Sequence, residues 1–144
     1  MNASQKVRSL TRAGLPVACS ALLLLSGCMT VPTQQEQVTQ NYGDPVGLDD
    51  AQAKVIAAMS MTLKDPDSAK YACSLGSQGW LGSGKAWGEG PQYGWLVGCK
   101  INAKNSYGGY VGPEPYAFIF RDGVLRRGSK LLGGDVTQVV YDNP

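Results

Sequence analysis

Histidine is absent from the 144-residue chain. That removes Ser-His and Cys-His nucleophile pairs, histidine general bases and most zinc sites at once. The groups left for acid–base work are carboxylates: Asp65, Asp67, Glu89, Glu114, Asp122 and Asp135. A glycosidase needs two of them across a cleft, and the spacing selects no pair. Asp65-Pro66-Asp67-Ser68 reads as a turn and lacks the acidic ladder of an EF-hand. Residues 79–86, Gly-Trp-Leu-Gly-Ser-Gly-Lys-Ala, have the spacing of a phosphate-binding loop. Ala86 stands where Ser or Thr must hold Mg²⁺, and Trp87-Gly88-Glu89-Gly90-Pro91 cannot open the required helix. Met59 and Met61, without a third soft ligand, make a poor copper site. The sequence therefore names no catalytic residue, no metal ligand and no cofactor.

Sulfur is the remaining reactive element, at Cys19, Cys28, Cys73 and Cys99. Lys6, Arg8 and Arg12 form a basic segment without an acid, followed by an apolar stretch over residues 15–25 and by Leu25-Ser26-Gly27-Cys28. The order is that of a secretory signal, and the apolar part is too short to span a membrane. Its end resembles the bacterial lipobox. In that lipoprotein family the cysteine thiol is acylated with diacylglycerol, as palmitate or a similar fatty acid, and cleavage falls just before it. The resemblance implies a signal peptide over residues 1–27, lipidation at Cys28 and a membrane partner through that lipid. Cys19, after the poorer match Pro16-Val17-Ala18, leaves with the peptide. The family's sorting rule places Asp after the cysteine for inner-membrane retention. Met29 stands there instead, which implies the outer membrane, on its periplasmic face.

The three signal cations leave too, so 13 Lys and Arg fall to ten against 11 acids. A mature charge near −1 gives no reason to expect nucleic acid as a partner. In the oxidising exported context Cys73 and Cys99 read as a disulfide. Their 26-residue separation would stabilise the domain by about 3.5 kcal/mol in the chain-entropy model and close the base of the glycine-rich segment that follows Cys73.

The elements that must position these groups follow from periodicity. Residues 28–44 are polar, rich in Gln and Thr and without apolar period, the pattern of a flexible tether. Residues 45–144 form a single domain. A helix is predicted over residues 48–64, capped by Asp49 with Gln52 three residues on. Ala51, Val55, Ala58, Met59, Thr62 and Leu63 lie on its apolar face, and Asp65-Pro66 ends it. Strands are predicted over 70–75, 95–103, 116–120, 124–127 and 136–141, with Asp122-Gly123 as a hairpin turn. Residues 76–94 hold seven glycines and read as a loop. The fold class is α+β: one N-terminal helix packed on a small twisted antiparallel sheet, with one disulfide.

Ten of the twelve aromatic residues fall between Tyr71 and Phe120. Trp80, Trp87, Tyr93 and Trp95 belong to or border the glycine-rich segment, and Tyr107 and Tyr110 follow. Such side chains can stack on sugars or anchor a protein partner, or they can cover a small sheet. With the segment closed by a Cys73–Cys99 bridge, residues 76–93 and 106–110 are expected to form one aromatic binding surface. Its candidate residues are Trp80, Trp87, Tyr93, Tyr107 and Tyr110.

The segment Asn102-Ala-Lys-Asn-Ser-Tyr-Gly-Gly-Tyr110, after a Cys-containing strand and with Lys64-Asp65-Pro66-Asp67-Ser68 upstream, resembles a group of small bacterial exported proteins and lipoproteins. The resemblance covers roughly residues 63–120. It supports the fold unit and transfers no activity. Within the motif the asparagine side chains, Asn102 and Asn105, can pin a turn through backbone hydrogen bonds. The functional expectation is a non-catalytic binding or envelope-assembly module with an envelope protein or glycan partner. The alternatives are a cell-wall hydrolase using carboxylates and an inhibitor of an envelope hydrolase such as lysozyme.

Overall fold

The computed structural model describes residues 31–82, 90–133 and 136–143. Five strands form one antiparallel sheet in chain order: β1 (Lys70–Leu81), β2 (Gln92–Asn102), β3 (Glu114–Arg121), β4 (Val124–Gly133) and β5 (Val136–Asp142). Asp122 and Gly123, at φ 54° and 71°, join β3 to β4. Paired positive φ angles are what a two-residue turn matched to strand twist requires, and the Asp-Gly pair signals them.

Alternation along β2 sends Val97, Cys99 and Ile101 to one face, as the sequence predicts. In register, Val97 lies opposite Phe118 and Cys99 opposite Tyr116, while Trp95 faces Phe120. Onto this face packs α2 (Leu48–Met59), burying Ala51, Val55, Ala58 and Met59. With Val46 and Leu125 they make the main core. Full burial of a Val or Met side chain contributes about 1.5–3 kcal/mol, so this stripe fixes where the helix sits.

The helix stops at Met59, short of the predicted residue 64. Turns carry the chain on, with the Thr62 and Leu63 amides both bonded to the Met59 carbonyl. Leu63 still packs on the core, which is why the apolar period runs past the helix. Asp49 does not cap α2; the N-cap is Gly47, with no side-chain bond. Asp49 and Asp50 instead lie in the first turn, where negative charge meets the positive end of the helix dipole.

The α+β reading holds in a coarser form, five antiparallel strands with a few helices and one disulfide, and the molecule is more sheet-dominated than one helix on a small sheet. β1 runs 12 residues and β2 runs 11. The described part of the segment expected to be a loop is mostly strand. Glycine there serves packing. A Cβ at Gly94 would collide with the Phe120 carbonyl oxygen, and one at Gly79 with the Leu96 side chain. The hairpin therefore crosses the second sheet face at a distance that side chains would forbid. That face buries Leu81, Ile119, Arg127 and Ser129.

Within the segment expected as a tether lies α1 (Gln34–Thr39), opened by a capping box between Thr33 and Glu36. Thr-x-x-Glu is a helix-start signal too short to register as apolar periodicity. Beyond it, the Gly43 carbonyl accepts from Trp95 Nε1 at 2.9 Å, and the Asp44 amide donates to Asp122 Oδ1 at 3.0 Å. The sheet thus has two ends. One carries Tyr93, Trp95, the Asp122-Gly123 turn and the incoming chain; the other carries Lys70, Asn102 and Glu114.

Candidate functional site

The disulfide lies inside the β1–β2 hairpin. Cys73 and Cys99 are directly opposite in register, with Cα atoms 4.1 Å apart. The bond between adjacent strands locks the pairing from Lys70↔Asn102 to Leu75↔Val97, and a bulge follows before Gln78↔Trp95.

At the Asn102 end two sequence motifs meet. The turn after β2 is built on Asn105. Its backbone amide donates to the Gly109 carbonyl at 2.8 Å, and the Gly108 amide donates to the Asn105 carbonyl at 3.0 Å. Its side-chain oxygen accepts from the amides of Tyr107 at 2.9 Å and Gly109 at 3.1 Å. Gly108 has φ +79°, in the left-handed region that glycine adopts without strain. The upstream Lys64-Asp-Pro-Asp-Ser68 segment docks on this turn. Lys64 Nζ donates to Ser106 Oγ at 2.8 Å, and the Lys104 amide to Ser68 Oγ at 3.4 Å. Tyr110 Oη donates to the Ser68 carbonyl at 2.9 Å. The Lys70 and Lys104 ammonium groups lie 5.1 and 5.6 Å from the Tyr110 ring centre, within cation–π range.

Between the motifs opens a cavity of about 190 Å³, lined among others by Leu63, Lys64, Lys104, Asn105, Glu114 and Tyr116. Glu114 Oε1 accepts from Lys130 Nζ at 2.7 Å. That hydrogen bond holds the Lys130 pKa above its ordinary value. Burial raises the Tyr116 hydroxyl pKa, opposed in part by the Lys130 charge and reinforced by Glu114. Glu114 is thereby committed to an ion pair. Asp122 likewise holds the Asp44 amide. Glu89 and Asp135 lie outside the described residues. Among the described residues no group of three His, Cys, Asp or Glu side chains is placed to hold a metal ion.

The expected single aromatic surface does not form from the described residues. Trp80 is paired in register with Tyr93, at the end of the hairpin remote from the Asn105 turn. The strand between Lys70 and Trp80 covers about 30 Å, so Trp80 and Tyr93 do not meet residues 106–110. The disulfide that was expected to bring them together instead fixes the register that keeps them apart. Trp80 is half-buried, and Tyr93 is half-buried edge-on against Tyr42, with ring centres 6.1 Å apart. Tyr107 is 96% exposed and Tyr110 is exposed at its rim. Trp87 and Cys28 lie outside the described residues, as does the whole predicted signal peptide.

One important residue was not foreseen. Arg127 is fully buried on the second sheet face, yet charged. Its Nε donates to Asp142 Oδ1 at 2.8 Å, and a second nitrogen reaches Oδ2 at 3.1 Å. Its remaining nitrogen donates to the carbonyls of Leu81 at 3.4 Å and Gly90 at 3.3 Å, clamping the hairpin over the sheet. In the sequence, nothing local marks which of Arg126 and Arg127 turns inward.

No family model, curated protein or solved structure matches the chain. No helix among the described residues is long and apolar enough to cross a membrane.

Proposed function

We propose that the chain is a bacterial lipoprotein, anchored through diacylglycerol on Cys28 to the periplasmic face of the outer membrane, whose domain is a non-catalytic binding or envelope-assembly module. The observation that carries the binding reading is Tyr107: an aromatic side chain 96% exposed on a turn whose backbone Asn105 fixes. A large exposed ring on a pre-ordered backbone contributes contact area with little ordering entropy left to lose. Tyr110 and its two lysines flank that turn and suit a protein or glycan partner with hydroxyl and carboxylate groups. An inhibitor of an envelope hydrolase is one form such a module takes.

The anchoring reading rests on the Leu-Ser-Gly-Cys segment, and mass spectrometry of the mature N-terminus tests it. A diacylated peptide beginning at Cys28 is expected; an unmodified terminus elsewhere would end the claim. For binding, the full chain in detergent, wild type against Tyr107→Ala, is used to capture envelope proteins and peptidoglycan fragments. The variant keeps its fold and loses the captured partner. Clearing of peptidoglycan in a zymogram, abolished by Asp or Glu substitution, would overturn the non-catalytic reading in favour of a hydrolase.

A further inference from the structure

The chain between the lipid site and the sheet is short, and from Thr33 onward it is tied down. Cys28 is five residues from Thr33, a span of at most about 18 Å when fully extended. Thr33 opens α1, whose six residues add about 9 Å. The Gln37 carbonyl of α1 accepts from Tyr42 Oη at 2.8 Å. Tyr42 rests on Tyr93, and Gly43 and Asp44 are bonded to Trp95 and Asp122. At Gly43, with φ +68°, a Cβ would fall 2.5 Å from Asp122 Oδ1, so the contact admits no side chain. All of these attachments are at one end of the sheet. β3, with eight residues, then carries the molecule about 25 Å towards Glu114 and the Asn105 turn.

The stretch that leads to the attachment suits a lipid headgroup layer, with the exposed acids of that end, Asp44 and Asp122, beside it. Between Val31 and Gly43 the one charged residue is Glu36, which is folded back onto Thr33. Val31 and Val38 are 69% and 77% exposed, and Tyr42 and Tyr93 are rings with a polar tip, the type that favours a membrane interface. We propose that the end of the sheet bearing α1, Tyr42 and Tyr93 rests on the phospholipid surface that holds the anchor, and that the Asn105 turn with Tyr107 faces away from it. This orientation rests on lipidation of Cys28. It divides the aromatic residues by role: Tyr42 and Tyr93 face lipid, Tyr107 and Tyr110 face the partner.

The test uses the full lipidated protein in phosphatidylethanolamine–phosphatidylglycerol vesicles containing a nitroxide-headgroup lipid. In a Trp87→Phe background, emission comes from Trp80 and Trp95 at the anchored end. That emission is expected to lose most of its intensity to the nitroxide. Tyr107→Trp, a change at an exposed site, adds emission that keeps its intensity. If Trp87→Phe fails to fold, the same comparison is made with all three native tryptophans present. Equal quenching of the added tryptophan, or none of the native ones, overturns the orientation. Mass spectrometry on the same sample separates the two claims: a diacylated Cys28 with the wrong quenching pattern defeats the orientation alone, and an unmodified Cys28 defeats both.

Discussion

The Arg127 guanidinium lies where no solvent reaches, and the Asp142 carboxylate and the carbonyls of Leu81 and Gly90 accept its hydrogen bonds. Removing one partner of such a pair strands the other, at about 3–5 kcal/mol. Asp142→Asn is therefore expected to lower the urea midpoint strongly, whereas Arg127→Met, which removes the fully buried charge and leaves Asp142 with a side chain 17% exposed to water, is expected to cost less; urea denaturation of both variants measures the difference. Ser129 is the opposite case, a fully buried hydroxyl whose oxygen has no hydrogen-bond partner among the described residues. Ser129→Ala is expected to raise stability by about 1 kcal/mol, since an unmade buried hydrogen bond is a net penalty. Tyr71 and Tyr116 give a pH signature. Burial raises both hydroxyls above the ordinary value of 10.0, so the unfolded chain releases these protons first. Their contribution is intact below pH 10 and is lost as pH rises through the native pKa values. Denaturation midpoints measured from pH 8 upward check this, and a midpoint that holds constant above pH 10 would refute it. At this scale the sequence is legible where a side chain acts on its own neighbours. The asparagines of the Asn102–Tyr110 segment could be assigned to a turn because the partners of Asn105 are two and four residues away. Arg127 could not, because Leu81, Gly90 and Asp142 come from three separate parts of the chain.

The Asn105 turn is rigid for a reason that one substitution removes. Asn105→Ala deletes two side-chain hydrogen bonds and is expected to cost roughly 1 kcal/mol each at most. Amide exchange at Tyr107 and Gly109 should speed up while β2 and β3 stay protected. Unchanged exchange would mean that the glycines and the Lys64–Ser106 contact hold the turn unaided. The β1–β2 hairpin is held differently. Replacing Cys73 and Cys99 together by Ala is expected to cost about 3.5 kcal/mol in the chain-entropy model, read as a fall in denaturation midpoint relative to the oxidised protein. This hairpin is also where reading the sequence went furthest astray. Strand alternation needs side chains to be visible, and Gly76, Gly79 and Gly94 supply none. What keeps Gly79 and Gly94 extended is their pairing across the two strands, with Phe120 close against Gly94 and Leu96 close against Gly79, all of it non-local. The shortened helix α2 and its uncapped start at Gly47 are smaller errors of one kind: apolar spacing reports what is buried, not which hydrogen bonds close.

As a whole the molecule is a sheet with one end tied to the incoming chain and the other presenting a turn. Antiparallel pairing, the face alternation of β2 and the Asp122-Gly123 turn were all readable, because each is set within a few residues. The separation of Trp80 and Tyr93 from Tyr107 and Tyr110 was not, since it depends on hairpin length. That separation predicts that substitutions at the two ends act independently. Tyr42→Ala and Tyr107→Ala, far apart and without shared contacts, should have additive effects on stability, and a coupling above about 0.5 kcal/mol in a double-mutant cycle would contradict it. The strand order carries a consequence for how the chain reaches this state. Every strand pairs with the one made just before it, so the sheet contains no crossover and no strand waits for a distant partner. A sheet paired only between neighbouring strands has a lower contact order than one with crossovers, and folding is faster at lower contact order. A chain made from its N-terminus onward can add each strand to the edge of the last, hiding that edge as soon as the next arrives. The time during which an unpaired edge is open to another copy is then set by the rate at which the chain is made, rather than by a search through the whole chain.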